Sequence, residues 1–170
     1  SLELGIDVGS IEEVMLAGTP PSIASVIQRA GRSGHGVGRL SKVSLFEKLD
    51  ARHLKGIAQI STERNFATGE ALMKQGENGI GLFIISSGKV KIEKTDPSGV
   101  KVEIAENGPG DIMGEMAVFD GSPRSASVIA TEPTTCLVLA SWEFNSFLKA
   151  HPEVAIDILP IVVKRFRETN

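Results

Sequence analysis

The sequence predicts a mainly β fold, a closed roll or barrel with short helices before it and helices after it. Three observations predict it. Short apolar segments of strand length recur from residue 71 to 139 with turn chemistry between them. Apolar and charged residues alternate in the middle of that stretch, as on a strand with one face inward. The apolar spacing then changes to the helical i, i+3, i+4 pattern beyond Ser141.

The first forty residues have a different character. An apolar run at Val14 to Ala17, the Pro20-Pro21 break, a short helical pattern capped at Ser22 with Ile23, Val26 and Ile27 on one stripe, and the glycine-rich Gly31 to Gly38 together make one strand, one helix and a linker. Such a piece closes no core, so residues 1–40 are expected not to form an independent domain and residues 41–170 are expected to form one. From Ser44 the signals agree with one another. Ser44 and Glu47 make a capping-box pattern around Leu45 and Phe46, and Leu54, Ile57 and Ala58 follow at helical spacing. Strand segments are expected at Ala71 to Met73, Leu82 to Ile85 and Lys89 to Glu93, with turns at Gly76 to Gly81 and Ser86 to Gly88. Val90 and Ile92, the turn Asp96-Pro97-Ser98-Gly99, and Val100, Val102 and Ile104 describe an antiparallel hairpin with one apolar face inward. After a turn at Asn107 to Asp111, two more strands are expected at Ser125 to Ala130 and Thr135 to Leu139.

Ser141 then reads as the cap of a helix with Phe144, Phe147 and Leu148 on one stripe, and Pro152 opens another. That last helix is apolar on more than one side, with Ala155, Ile158, Leu159 and Val162 on one and Ile156 and Val163 elsewhere, so it is expected to contact the roll and a second surface such as a dimer partner. Pro160 inside it removes a hydrogen bond and predicts a kink, at about 3 kcal/mol in a regular interior. Phe144, Phe147 and Trp142 read as core residues.

Composition narrows the function classes. A net charge of −3 gives no general electrostatic footprint for nucleic acid or an anionic membrane. No apolar run reaches the roughly 18 residues of a membrane span, and the one cysteine, Cys136, lies in an apolar strand and reads as a buried thiol, in keeping with a cytoplasmic protein. His35, His53 and His151 show no metal spacing along the chain, and no nucleophile, base and acid arrangement is legible, so neither a metal site nor a catalytic site is expected.

The informative segment runs from Gly110 to Ala126. Gly114 permits close backbone approach, and the residues after it can form a helical turn whose free N–H groups attract phosphate. Arg124 is the one charged residue between Gly121 and Thr131, and its planar fork suits two phosphate oxygens, while Glu115 offers an acceptor for a sugar hydroxyl. A structural ion pair between Glu115 and Arg124 is the alternative.

Gly114-Glu115-Met116-Ala117 through Ser122-Pro123-Arg124-Ser125-Ala126 resembles the phosphate-binding cassette of cyclic-nucleotide-binding domains, with the catabolite activator protein/Fnr group nearest. The likeness extends over residues 45–170 and includes Gln75-Gly76-Glu77, Ser87-Gly88-Lys89-Val90 and Pro109-Gly110-Asp111. It implies a double-stranded β-helix, a jelly-roll-like β-roll, that senses cAMP or cGMP, needs no cofactor and catalyses nothing. It also implies roles. Glu115 would accept the ribose 2′-hydroxyl, Arg124 would pair with the cyclic phosphate, the backbone of Gly114, Met116 and Ala117 would line the sugar-phosphate pocket, and Ser125 would touch phosphate or base. Thr169 and Asn170 stand where the family's long helix reaches the adenine, which with Ser125 leans toward cAMP. Binding would move the C-terminal helices. The alternatives are a roll that has lost its ligand and serves dimerisation, or a fragment of an ATP-dependent helicase.

The helicase alternative comes from Ser1 to Gly9 and from Gln28-Arg29-Ala30-Gly31-Arg32-Ser33-Gly34-His35, which resemble the last two motifs of superfamily 2 helicases of the Lhr-like type. There, residues matching Arg29 and Arg32 face ATP phosphates and one matching Asp7 couples nucleotide to nucleic acid. No P-loop or DExH box occurs in this sequence, so ATPase activity by this chain is not expected. No helix-turn-helix follows the roll in this sequence, so no direct DNA reader is expected in it.

Overall fold

The computed structural model describes residues 45, 46 and 48–169, with no description of the side chains of residues 168 and 169. The helicase-like segment and the Ser44/Glu47 capping pattern lie outside the described residues. Leu45 and Phe46 sit in a turn and are fully buried, and the first described helix, α1, spans Ala51–Gln59. Its N-cap is Asp50, whose carboxylate accepts the His53 amide at 2.8 Å.

Eight strands follow: β1 Thr62–Phe66, β2 Ala71–Met73, β3 Gly81–Ser87, β4 Val90–Thr95, β5 Lys101–Asn107, β6 Ile112–Met113, β7 Ser127–Ala130 and β8 Thr134–Ala140. They form two antiparallel four-stranded sheets, in the orders β1-β8-β3-β6 and β2-β7-β4-β5. The helix α2, Glu115–Asp120, interrupts the run between β6 and β7, and α3, Ser141–Ala150, and α4, Pro152–Thr169, complete the chain. This is the β-roll with flanking helices that the sequence predicts.

The central strands of the first sheet, β3 and β8, are buried on both faces. Leu82 and Ile84 of β3 and Leu137 and Leu139 of β8 face the helices, joining Phe46, Ile57, Phe144, Val154 and Ile158. Phe83, Ile85 and Cys136 point the other way, into a second cluster between the sheets with Phe66, Leu72, Val90 and Val128. Two-sided burial is why Leu82 to Ile85 is a continuous apolar run rather than an alternating one. Burial pushes the Cys136 thiol up to about 12, so it stays a neutral, unreactive core group.

The structure corrects several expectations. Val102 and Ile104 alternate on β5 and Val100 immediately precedes it, but all three are exposed. They lie on an edge strand, and β6 at the edge of the opposite sheet has two residues and cannot cover seven. Ser141 is not a cap: Ala140 holds that position, and the Ser141 hydroxyl instead donates to the Gly79 carbonyl at 3.2 Å. Trp142 is 66% exposed and belongs to no core. On α4 the core-facing stripe is Val154, Ile158 and Ile161, while Leu159, assigned to the inner stripe, faces out with Ile156, Val163 and Phe166. The helix is continuous through Pro160, which lies on the exposed face, where water can satisfy the carbonyl one turn earlier. The strands β1 and β6 were not predicted. The first has one buried residue in five, and the second is two residues long.

Ile84 is fully buried at the centre of β3 with its side chain among the helices. Ile84→Ala is expected to lower the free energy of unfolding by about 2–5 kcal/mol in a urea titration.

Candidate functional site

The segment between β6 and β7 is built around one arginine. After Met113 the chain turns through Gly114, at φ 80°, into α2, and leaves it through Gly121, at φ 70°. Both are left-handed conformations that favour glycine. The Arg124 backbone is then pinned on both sides, its amide donating to the Glu77 carbonyl and its carbonyl accepting from the Gly76 amide, each at 2.8 Å. A bridge between Asn78 and Pro123 extends the same contact. This pinning aims the side chain inward, and Arg124 is 5% exposed.

Its guanidinium donates from Nη1 to the Gly114 carbonyl at 2.7 Å and from Nη2 to the Gly81 carbonyl in a short contact. The Phe83 ring lies 5.9 Å beneath it. Among the described residues it has no carboxylate ion-pair partner. Burial lowers its pKa from the ordinary arginine value, and the charge of Glu115 opposes that shift. The Glu115–Arg124 ion pair weighed from sequence is not what forms, because Glu115 bonds Arg165 of α4, Oε1 to Nη1 at 2.9 Å, with both side chains mostly buried.

Glycine is needed at Gly114 for space as well as for φ. A Cβ there would overlap Arg124 Nη1, and one at Gly79 would overlap the Ala117 methyl. The first amides of α2 have no intrahelical acceptors, and Gly114 brings no side chain to cap them. Cation, bare amides and close-approach glycine thus converge on one wall.

That wall encloses a cavity of about 500 Å³ at the end of the roll where β5 is uncovered. Gly114, Glu115, Met116, Ala117, Arg124 and Ser125 all line it, so the structure brings together six of the eight residues singled out in the sequence. The other two do not enter: the Thr169 side chain and Asn170 lie outside the described residues. The opposite wall was missed. It includes Met73, Ile92, Lys94, Ile104 and Asn107 from the roll and Phe166 from α4. Phe166 and Arg165 stand three and four residues before Thr169, the helical spacing that puts them on its face and the one signal that points to them. Ser125 is exposed at the rim.

Fold and cavity together define a β-roll domain with a small-molecule-sized pocket bordered by its C-terminal helix. Residues 63–151 match the family described as cyclic nucleotide-binding domain. The chain is 33% identical over 107 residues to the cyclic AMP receptor protein of Thermus thermophilus, covering 63% of this chain and 50% of that protein. It is 28% identical over 131 residues to a CRP-like cAMP-activated global transcriptional regulator of Mycobacterium tuberculosis, covering 77% and 58%. The crystal structure of the N-terminal domain of a transcriptional regulator from Streptomyces coelicolor superposes with a TM-score of 0.66 at 33% identity, covering 74% of this chain and 90% of that one. The chain belongs to the cyclic nucleotide-binding domain family, in its CRP/FNR group. It spans about half the length of the curated relatives it matches.

Gly114→Ala is expected to destabilise the domain by more than about 1 kcal/mol, since both φ and the Arg124 contact oppose a Cβ. Thermal unfolding checks this, and Gly108→Ala, where nothing lies within 4 Å of the added atom, serves as the control.

Proposed function

We propose that this chain is a regulatory sensor that binds a cyclic nucleotide, cAMP first, and converts binding into a change in the position of its C-terminal helices. The observation that carries the reading is Arg124, a buried guanidinium in a cavity wall with carbonyls and, among the described residues, no carboxylate for partners. A cyclic phosphate supplies the missing anion, met by the fork of Arg124 and the first amides of α2. Glu115 accepts the ribose 2′-hydroxyl, the backbone of Gly114, Met116 and Ala117 lies along the sugar and phosphate, and Ser125 closes the rim. Phe166 offers its ring to the base, and Thr169 and Asn170 follow it at the helix end. The apolar residues Met73, Ile92 and Ile104 favour a ligand with an aromatic base over a bare phosphate.

The route from ligand to helices has two physical contacts. Phe119 of α2 meets Phe144 of α3 edge-on, centroids 5.9 Å apart, and Glu115 holds Arg165 of α4. A ribose hydroxyl competing for Glu115 alters the second contact, so the helix responds only as far as its two positions differ in affinity for the ligand. The exposed Ile156, Leu159, Val163 and Phe166 on α4 suit a second copy of the chain, which makes the last helix the output. The domain is assigned to residues 41–170, with the helicase-like residues 1–40 an appended piece that has no ATPase activity of its own. No described helix is long and apolar enough to cross a membrane, and we place the protein in the cytoplasm.

Ligand at a hundredfold over its dissociation constant should stabilise the native state by about 2.7 kcal/mol. Thermal unfolding with cAMP is expected to show that rise in the wild type and none in Arg124→Ala; no rise with either cAMP or cGMP would overturn the proposal. Hydrogen exchange in residues 152–167 is expected to change on saturation, and the change to shrink in Arg165→Ala while cAMP still binds. Exchange that is unchanged in the wild type would remove the helix response and leave a static binding module.

A further inference from the structure

His53, His151 and Glu153, apart in sequence, meet at the junction of α1, α3 and α4, at the far end of α4 from the cavity. The sequence shows no metal spacing among the histidines because the spacing is tertiary: His53 and Glu153 are 100 positions apart. The imidazole of His53 is 5% exposed, and each of its nitrogens faces a carboxylate, Nδ1 at 3.1 Å from Asp50 Oδ1 and Nε2 at 3.0 Å from Glu153 Oε1. His151 brings Nδ1 to 3.6 Å from the same Glu153 oxygen, with its ring centroid 5.3 Å from that of His53. The candidate donor atoms of the three residues all lie within 4.8 Å of one another.

These separations fit a cation. Ligand bonds of about 2.0–2.1 Å in a tetrahedron put neighbouring donor atoms about 3.3 Å apart, and the 3.0 and 3.6 Å distances to Glu153 bracket that value. The remaining edge, between the two histidines, closes by rotation of the partly exposed His151 ring. The outer shell is in place as well. Asp50 is fixed by its cap bond to the His53 amide and keeps Oδ1 3.1 Å from His53 Nδ1, a carboxylate beside the nitrogen remote from Glu153 and His151, as in the carboxylate–histidine arrangement that orients metal ligands.

We propose that His53 Nε2, His151 and Glu153 form a binding site for a divalent transition cation of the zinc class, with water in the fourth position. Two imidazoles and one carboxylate are a donor set suited to such an ion, and the half-exposed Glu153 gives it a way in from solvent. The bound cation ties α1 to the first turn of α4, the helix whose other end carries Arg165 and Phe166.

Titration of the tag-free full chain with Co²⁺ is expected to give the ligand-field spectrum of a tetrahedral site, saturating at one ion per chain and displaced by one equivalent of Zn²⁺, and Zn²⁺ is expected to raise Tm. His151→Ala, at a residue that is not part of the core, is expected to abolish both signals while remaining folded. Asp50→Asn keeps a good helix cap but loses the carboxylate, and is expected to weaken Zn²⁺ binding about 10–100-fold. His35→Ala should bind as the wild type does. No tetrahedral spectrum at stoichiometric Co²⁺, or an undiminished one in His151→Ala, would overturn the site; so would its loss in His35→Ala. Unchanged affinity in Asp50→Asn would overturn the positioning role of Asp50.

Discussion

The architecture turns on a cation removed from water. Arg124 is held by its own backbone bonds to the turn at Gly76 and Glu77, and its guanidinium is divided between the carbonyls of Gly114 and Gly81. Two neutral acceptors offset only part of what a guanidinium loses on leaving water. On the proposed reading an anion makes up the difference, and the place for it is set by the sheet that carries Gly81 and the tight turn that carries Gly114. The fold keeps the space beside the arginine open by using glycine where a side chain would reach it.

The same short segment ties the cavity to the helices. The helix α2 is six residues long, yet it presents Glu115 to α4, Phe119 to α3 and Ala117 to Gly79 at the approach to β3. A shift of α2 bears on all three of those contacts at once, because one six-residue helix carries them all. The His53, His151 and Glu153 cluster lies at the opposite end of α4, so the last helix has one polar anchor at the cavity and another at its start.

Much of this was legible in the sequence, for physical reasons. The cassette is contiguous, so its glycine, its acid and its arginine are read in one line, and six of its residues meet in the cavity wall. The roll was legible because turn chemistry punctuates strands of similar length. What escaped reading depends on neighbours far along the chain. Whether an apolar alternation is buried depends on what lies opposite, and nothing in Val100, Val102 and Ile104 reveals that β6 is too short to cover them. Trp142 and Leu159 have core-like side chains at positions that the packing of α3 and α4 turns outward. The partnership of Glu115 with Arg165 spans 50 positions, and the strand β1 hides in a polar edge.

The most direct test of the account follows the phosphorus atom. ³¹P NMR of cAMP titrated with the wild-type chain should show a displaced resonance that saturates at one ligand per chain, and the same titration with Arg124→Ala should leave the resonance at its free position. A phosphorus signal that does not move with the wild type, or that moves equally with the variant, would contradict the claim that Arg124 awaits a cyclic phosphate.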